Sequence, residues 1–280
     1  MLNERSIAYT SPETLTSPTR VDMLGTPLDP VTMVGAVARI DEAIRSRRHL
    51  RHVAMNAAKL VATRQDPLLR RSVQSAELVT ADGQSIVWAA RLLGQPVPER
   101  VTGIDLMGAV LALAARRGYR VFTLGARQDI VDQAVEKLRR IHPTLNIVGA
   151  IHGYYTPEEE GDVVRAIVEA RPDILLVAFG TPRKELFLAA HQQQLGVPFC
   201  MGIGGSLDVV AGKVRRAPRA MQHLGLEWLF RLIQEPRRLW RRYVISNSSF
   251  LSMVLMERFR VQLSGARKPS PEIDTDPARG

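Results

Sequence analysis

A carboxylate that could act as a base stands at the end of a predicted strand. Asp82 follows an apolar run that ends at Ala81, and it precedes Gly83. Side chains at the carboxyl ends of parallel strands commonly meet a ligand. On these residues alone two interpretations stay open: an aspartate in an ordinary turn ahead of a glycine, or a general base that reaches into a cleft.

A second candidate group lies at the start of a long predicted helix. Thr102 is placed to cap this helix, and Asp105 three residues later resembles the acidic member of a capping box. The cap explains Thr102 and Asp105 but not Arg100 or Gly103. An arginine beside a helix N-terminus with a bare glycine amide suits an oxyanion or a phosphate, so these residues are candidates for the site.

Turns after the other predicted strands bear glycines and face helix N-termini. One such turn is only a connection, but several at one edge of a sheet favour a cleft for an anionic ligand such as a nucleotide diphosphate. The candidate positions in these turns, together with an asparagine after the first strand, are Asn56, Gly125, Tyr154, Gly180, Pro182, Gly204, Gly205 and Asp208.

Several site classes are disfavoured by what the sequence lacks. It contains no Gly-x-Gly-x-x-Gly fingerprint and no phosphate-loop lysine motif, which argues against a dinucleotide enzyme and a P-loop ATPase. The six histidines are scattered, with no His-x-x-x-His pair. We therefore expect no metal and no cofactor, and we expect arginines and helix dipoles to meet leaving-group charge. The single cysteine, Cys200, lies in an apolar run and is predicted to be a buried core thiol.

Apolar strands alternate with amphipathic helices along most of the chain. The predicted strands cover residues 52–56, 77–81, 120–124, 146–150, 173–179 and 198–203. The clearest predicted helices between them cover residues 104–117, 130–141, 158–170 and 184–195. Asp29 before Pro30 predicts the N-terminus of the first helix, which leads into residues 34–46. This alternation predicts a Rossmann-like α/β fold, with a mostly parallel sheet and helices on both faces.

Positive charge is concentrated near the C-terminus. The chain has a net charge of +10, and residues 211–260 alone contain 11 Lys/Arg and 3 Asp/Glu, interleaved with aromatics such as Trp228 and Trp240. Such a segment implies an anionic partner: a membrane surface, a diphosphate or a nucleic acid. Arg216 and Arg219 are its first candidates for substrate contacts.

The composition divides the chain into four parts. We expect disordered tails over residues 1–20 and 264–280, an α/β catalytic domain over 21–211, and a basic, membrane-associating helical appendage over 212–263. The polar start of the chain does not look like a signal peptide. The apolar run 244–256 is interrupted by Ser and Asn and is shorter than the roughly 20 residues of a membrane span. We therefore expect a cytoplasmic protein that lies peripherally on the inner face of the cell membrane.

Taken in chain order, these blocks resemble the WecG/TagA/CpsF glycosyltransferases, glycosyltransferase family 26. The resemblance covers about residues 20–245. Its blocks are Asn56, residues 81–83, 100–106, Gly125, 153–155, 172–182, 202–208, 216–218, 225–231 and 235–238.

The resemblance implies a reaction and roles for residues. The family transfers a sugar with inversion and without a metal, usually from a UDP-sugar, to a saccharide linked to polyprenyl diphosphate at the membrane. Its members act in the synthesis of bacterial surface polysaccharides and exopolysaccharides. It implies that Asp82 is the base, that Asn56 is the asparagine conserved beside it, and that residues 212–243 correspond to the family's basic appendage.

Two positions depart from the family pattern. Ala54 stands where many members have Thr, so any hydroxyl role there is lost. Lys184 stands where members commonly have Gln, which puts a cation where an amide would read hydroxyl groups. The donor sugar therefore stays open between the N-acetylmannosamine type and glucose.

Two other classes of function remain as alternatives. A nucleic-acid-binding protein could stack bases on the aromatics of the basic segment, but the adjoining leucines, Phe230 and Ile233 do not suit that role. A non-catalytic module that binds nucleotide sugars is disfavoured by the presence of Asp82 and Asn56. We therefore expect a nucleotide-sugar donor, a lipid-linked acceptor and an anionic membrane surface as partners, and no nucleic acid, and we leave a homo-oligomer open.

Overall fold

The computed structural model of the chain describes residues 19–263. Its strands are β1 (Val21–Asp22), β2 (Pro27–Leu28), β3 (Leu50–Met55), β4 (Leu78–Ala81), β5 (Arg120–Gly125), β6 (Asn146–Ile151), β7 (Ile174–Ala178) and β8 (Phe199–Gly202). Its helices are α1 (Met33–Arg45), α2 (Ala57–Gln65), α3 (Pro67–Gln74), α4 (Gln84–Leu92), α5 (Gly103–Arg117), α6 (Gln128–Ile141), α7 (Glu160–Ala170), α8 (Arg183–Leu195), α9 (Ser206–Ala211), α10 (Arg219–His223), α11 (Glu227–Gln234) and α12 (Pro236–Leu263). Apart from Thr19 and Arg20, the two predicted tails lie outside the described residues.

Six strands form one sheet in the order β4-β3-β8-β7-β5-β6, and every pair in it is parallel. These are the six strands predicted from the sequence, which confirms the Rossmann-like α/β fold. A short antiparallel hairpin, β1–β2, forms a separate two-stranded sheet and was not predicted.

Helices cover both faces of the sheet, as the alternation of side chains along β7 shows. Ile174 and Leu176 belong to a core cluster with residues of α1, α5 and α6. Leu175 and Val177 point to the other face and join a cluster with residues of α7 and α8. Because a strand buried on both faces needs a continuous apolar sequence, this layering accounts for the uninterrupted run at Ile174–Ala178.

The predicted start of the first helix is wrong. Thr32, not Asp29, caps α1, and its side chain accepts a hydrogen bond from the amide of Gly35. Asp29 is buried instead, where it pairs with Arg20 and Arg39 at 3.0 Å each and accepts from the amide of Val79 at 2.7 Å. Asp29 therefore ties the chain before α1 to strand β4.

The C-terminal segment, residues 212–263, consists of α10, α11 and α12. Helix α12 runs without a break through the polar residues 246–249. Phe250 and Val254 on its inner side are only 6% and 3% exposed and join a core cluster with Leu60 of α2. Among the helices within residues 19–263, none is both long enough and apolar enough to span a membrane.

Candidate active site

Asp82 lies immediately after β4, where two groups hold its carboxylate. Oδ1 accepts a hydrogen bond from the backbone amide of Gly103 at 2.7 Å, and Oδ2 faces the side-chain amide nitrogen of Asn56 at 3.4 Å. The Asp82 amide itself donates to the Met55 carbonyl at 2.8 Å. The carboxylate is therefore fixed between the end of β3 and the first turn of α5.

Asn56 has a structural role as well as a place in the site. It caps α2, and its Oδ1 accepts from the amide of Lys59 at 3.0 Å. This bond assigns the oxygen of the side chain, so that the amide nitrogen is the atom turned toward Asp82. One residue thus starts a helix and orients the candidate base.

Gly103 lies against Asp82 and Ala54 at ordinary contact distances. A Cβ at this position would lie 3.4 Å from the Ala54 side chain and 3.8 Å from Asp82 Oδ1. A larger side chain at position 54 or 103 would compete for that space. Ala54, one of the two departures from the family pattern, therefore borders the site directly.

The predicted cap of α5 is present. The Thr102 hydroxyl accepts from the amide of Asp105 at 3.2 Å and donates to Asp105 Oδ2 at 2.6 Å. Burial alone would raise the pKa of the Asp105 carboxyl, but the hydrogen bonds from Arg216 and Thr102 hold that pKa below its usual range. Asp105 is thus an anion at the N-terminus of α5, where the helix dipole favours negative charge.

Two arginines predicted to meet substrate are bound by carboxylates of the protein. Arg216 forms a bidentate salt bridge with Asp105, at 2.7 and 2.8 Å, and its Nε lies 3.4 Å from Glu227. Arg100 donates to Glu227 at 2.9 Å and to the carbonyl of Gln222 at 2.9 Å. These bonds join the start of α5 to the C-terminal segment.

The C-terminal segment also packs against the start of α4, which follows Asp82 directly. Gly225 has a φ of +71°, and a Cβ there would lie 2.5 Å from the Gln84 side chain. Only glycine suits this turn, both for its backbone conformation and for its contact. The segment therefore touches the N-termini of both helices that flank Asp82.

A second group of candidates surrounds the ends of β5 and β7. The chain leaves β5 toward β6 and leaves β7 toward β8, on opposite sides, and such a point opens a crevice for ligands. Gly125 ends β5 with a φ of +116°, and a Cβ there would lie 2.9 Å from backbone atoms of Ala178. Glycine at position 125 therefore lets the end of β5 pass close to the backbone of β7.

The rim of this crevice contains an arginine that the sequence analysis did not single out. The guanidinium of Arg183 lies 4.7 Å from the ring centre of Tyr155 and 4.3 Å from that of Phe179. It also donates to the carbonyl of Gly153 at 2.8 Å. Tyr154 beside it is 73% exposed.

Gly180 and Pro182 lie in the turn from β7 to α8, exposed on either side of Thr181, and the Thr181–Pro182 peptide is cis. Gly204, with a φ of +51°, and Gly205 form the turn from β8 to α9. Asp208 lies in the first turn of α9. Each of these predicted positions is at the carboxyl edge of the sheet.

Lys184 is buried rather than open to the cleft. Its ammonium group lies 2.8 Å from Glu185 Oε1, the atom that Lys59 also approaches at 2.8 Å, and it donates to the Thr181 hydroxyl. Its stem crosses Gly202, where a Cβ would lie 2.8 Å from it. This pairing accounts for Lys184 without a substrate contact, and its role toward the donor stays a prediction.

Other titratable groups have core positions. Burial raises the pKa of the Cys200 thiol to about 12, which confirms a core thiol. Burial, with the charge of Lys59, lowers the pKa of His52 to about 3.

Arg219, the other predicted substrate contact in the C-terminal segment, begins α10 and is exposed. Within residues 19–263, no three His, Cys, Asp or Glu side chains are grouped as metal ligands would be.

The structure thus brings Asp82, Asn56, Thr102 and Gly103 together, and it places the glycine turns along the same sheet edge. Besides Arg183, the sequence analysis missed Glu227 as a candidate. It lies in the motif that gave the resemblance, but no short-range pattern indicates that it pairs with Arg100, 127 residues away.

A comparison with known families identifies the family of this chain. The family model described as "Glycosyl transferase WecG/TagA/CpsF family" matches residues 21–264, which include the whole sheet and the C-terminal segment. The match confirms the resemblance drawn from the sequence blocks. The chain therefore belongs to the WecG/TagA/CpsF family of glycosyl transferases.

Proposed function

We propose that this chain transfers a sugar, with inversion, from a UDP-sugar to a saccharide linked to polyprenyl diphosphate, and that Asp82 is the general base. The observation that supports this most is the orientation of the Asp82 carboxylate by Gly103 and Asn56 at the sheet edge. Carboxylates fixed in this way at strand ends suit proton abstraction.

The chemistry needs one proton transfer. The acceptor hydroxyl attacks the anomeric carbon as the bond from that carbon to the nucleotide diphosphate breaks, and the hydroxyl proton passes to Asp82. Because Asn56 and Gly103 each donate to a different oxygen, the carboxylate cannot rotate freely. Its remaining lone pairs can accept from an acceptor hydroxyl within about 2.6–3.2 Å.

The donor is proposed to lie along the glycine turns, with its diphosphate near backbone amides and helix N-termini. The glycine at the end of β5, Gly125, and the turn at Gly204 and Gly205 support this placement. Leaving-group charge is met there by amides and basic side chains, so transfer should survive EDTA. A strict requirement for Mg²⁺ or Mn²⁺ would contradict this part of the proposal.

The identity of the sugar is proposed only as a class, either the N-acetylmannosamine type or glucose. Lys184, in place of the usual Gln, is paired with Glu185 and lies under the end of β8. A binding screen of UDP-, GDP- and TDP-sugars decides both the nucleotide and the sugar.

The C-terminal segment is proposed to hold the enzyme on the inner membrane face, where a lipid-linked acceptor resides. Its exposed apolar side chains include Leu224 and Ile233, at 62% and 66%, and the outward side of α12. Those of α12 are Trp240, Val244, Ile245, Leu251, Leu255, Met256 and Phe259. Arginines near this surface would each add roughly 1 kcal/mol on an anionic bilayer.

Asp82→Asn tests the reaction. The substitution keeps the shape of the side chain and removes its basicity, so turnover should fall by about 10² or more while donor affinity stays nearly unchanged. The matched control is Glu42→Gln, near the end of α1 and so at the opposite edge of the sheet, where the carboxylate is 53% exposed. Wild-type turnover in Asp82→Asn would refute the assignment, and donor binding without any transfer by the wild-type chain would favour a non-catalytic module.

Vesicle flotation tests the membrane role. The double variant Ile233→Glu, Met256→Glu should lose binding to phosphatidylglycerol vesicles, since it places charge on the apolar surface. Val168→Glu, at an exposed apolar position on α7, is the control. Equal binding by both variants, or salt-sensitive binding to RNA instead of vesicles, would overturn the proposal.

A further inference from the structure

We infer that Glu227 and Asp105 are positioning residues that seat the C-terminal segment on the helices flanking Asp82. With Arg100 and Arg216 they form a group of four side chains, called the latch below. The inference rests on the proposed role of Asp82 as base. It replaces the substrate contacts that the sequence suggested for the two arginines.

The latch is balanced in charge and specific in geometry. Two arginines meet two carboxylates, and the Arg216–Asp105 pair uses both prongs of the guanidinium, at 2.7 and 2.8 Å. Glu227 receives one arginine on each oxygen, Arg100 on Oε2 at 2.9 Å and Arg216 on Oε1 at 3.4 Å. Two-pronged pairs of this kind fix orientation as well as distance.

The side chains of the latch are partly buried, which strengthens the ion pairs between them. The exposed fraction is 16% for Arg100, 23% for Glu227, 24% for Arg216 and 40% for Asp105. Water screens such pairs less than pairs on an open surface. Loss of one member would therefore leave a partly desolvated charge without its partner.

The latch connects physically to the candidate base. Asp105 accepts the hydroxyl hydrogen of Thr102, which caps α5, and the first amide of α5, at Gly103, holds Asp82. On the other side of Asp82, Gly225 packs against Gln84 at the start of α4. Movement of the C-terminal segment would therefore disturb both helix starts between which Asp82 is held.

A competing interpretation makes the opposite prediction. If Arg100 and Arg216 bind the donor diphosphate, Glu227 competes with the donor for them. Glu227→Gln would then free the arginines and tighten donor binding. If the arginines act through the latch, the same substitution leaves donor affinity unchanged and lowers turnover, because Asp82 is less well held.

The experiment uses the full chain with Glu227→Gln, Arg216→Gln, the double variant and Arg216→Lys. The control is Glu257→Gln, the same substitution on α12, outside the latch. Hydrogen–deuterium exchange is followed over residues 219–234 and 103–107, the affinity for UDP is measured by calorimetry, and turnover is measured with a lipid-linked acceptor.

We expect Glu227→Gln and Arg216→Gln to speed exchange in both regions and to lower turnover by about tenfold, with unchanged affinity for UDP. The double variant should lose no more than the worse single variant, since the residues act as one unit. Arg216→Lys should behave like Arg216→Gln, because an ammonium group cannot form the two-pronged pair. Glu257→Gln should match the wild type.

Tighter UDP binding by Glu227→Gln, full activity in Arg216→Lys, or unchanged exchange over residues 219–234 would each overturn the inference. A loss of turnover in the double variant equal to the product of the two single losses would also overturn it. Hydrogen–deuterium exchange is measured without sugar transfer. If the wild-type chain transfers no sugar, the proposed function is refuted, and the exchange rates still test whether the latch holds the C-terminal segment.

Discussion

Helix α12 is expected to be a structural part of the core, and Phe250→Ala measures this. Phe250 is 6% exposed and packs in a cluster with Leu60 and Val254. Removal of a buried Phe side chain costs about 3–5 kcal/mol. Because Phe250 lies between α12 and α2 on the outside of the sheet, we expect the lower value, a loss of about 3 kcal/mol in the free energy of unfolding. For a chain of this size that loss lowers Tm by roughly 6–12 °C.

The assay is urea unfolding followed by far-UV circular dichroism, with Phe259→Ala as the matched control. Phe259 is 61% exposed on the same helix, so its loss should change the free energy of unfolding by less than about 0.5 kcal/mol. If the two variants unfold at the same urea concentration, α12 does not contribute to the core. If Phe250→Ala lowers the free energy of unfolding more than Phe259→Ala does, deletion of the C-terminal segment would also damage the core. Surface substitutions are then the better test of membrane binding.

Three further predictions follow from the buried groups and one glycine. Burial raises the pKa of Cys200 to about 12, so iodoacetamide should leave it unmodified in the native state and label it in urea, as mass spectrometry would show. Burial lowers the pKa of His52 to about 3, while the unfolded imidazole takes up a proton near 6.5, so the free energy of unfolding should fall as the pH decreases from about 6.5 toward 3. Urea titrations across that range should show a flatter fall in His52→Phe. Gly125→Ala should cost about 2 kcal/mol or more, because φ is +116° and the methyl group would meet the backbone of β7, whereas Gly108→Ala in the open middle of α5 should be neutral or stabilising by about 0.5–1 kcal/mol.

The elements whose signals are local could be predicted from the sequence. The six sheet strands follow from apolar runs between turn residues, and the Thr102 cap follows from residues three positions apart. Asp82 could be placed at a strand end for the same reason. In each case the sequence signal lies within the segment itself, although the strands and Asp82 are held by contacts with other segments.

The errors and omissions concern contacts between distant segments. Asp29 has the local pattern of a helix cap, but its carboxylate is engaged by Arg20, Arg39 and the amide of Val79, so Thr32 caps the helix instead. Arg100 has the local pattern of an anion site, and its bond to Glu227 was not indicated by the sequence, while its role toward the substrate stays a prediction. Sequence spacing carries no information about such pairs, because the chain between them can be of any length.

The place of β8 in the sheet has a consequence for synthesis of the chain. Among the strands in residues 19–263, β8 is the last to be made, yet it lies between β3 and β7 and joins β3–β4 to β5–β6–β7. At about 5–20 residues per second, the ribosome needs roughly 6–24 s to proceed from the end of β4 to the end of β8. Throughout that interval the edge of β3 that will pair with β8 has no partner, and unpaired edges of this kind attract other strands. Once Ala178 has been made, the edge of β7 that faces β8 is unpaired as well. Nascent chains that end between Ala178 and Phe199 should therefore hold two incomplete half-sheets, and a chaperone would matter most at this stage.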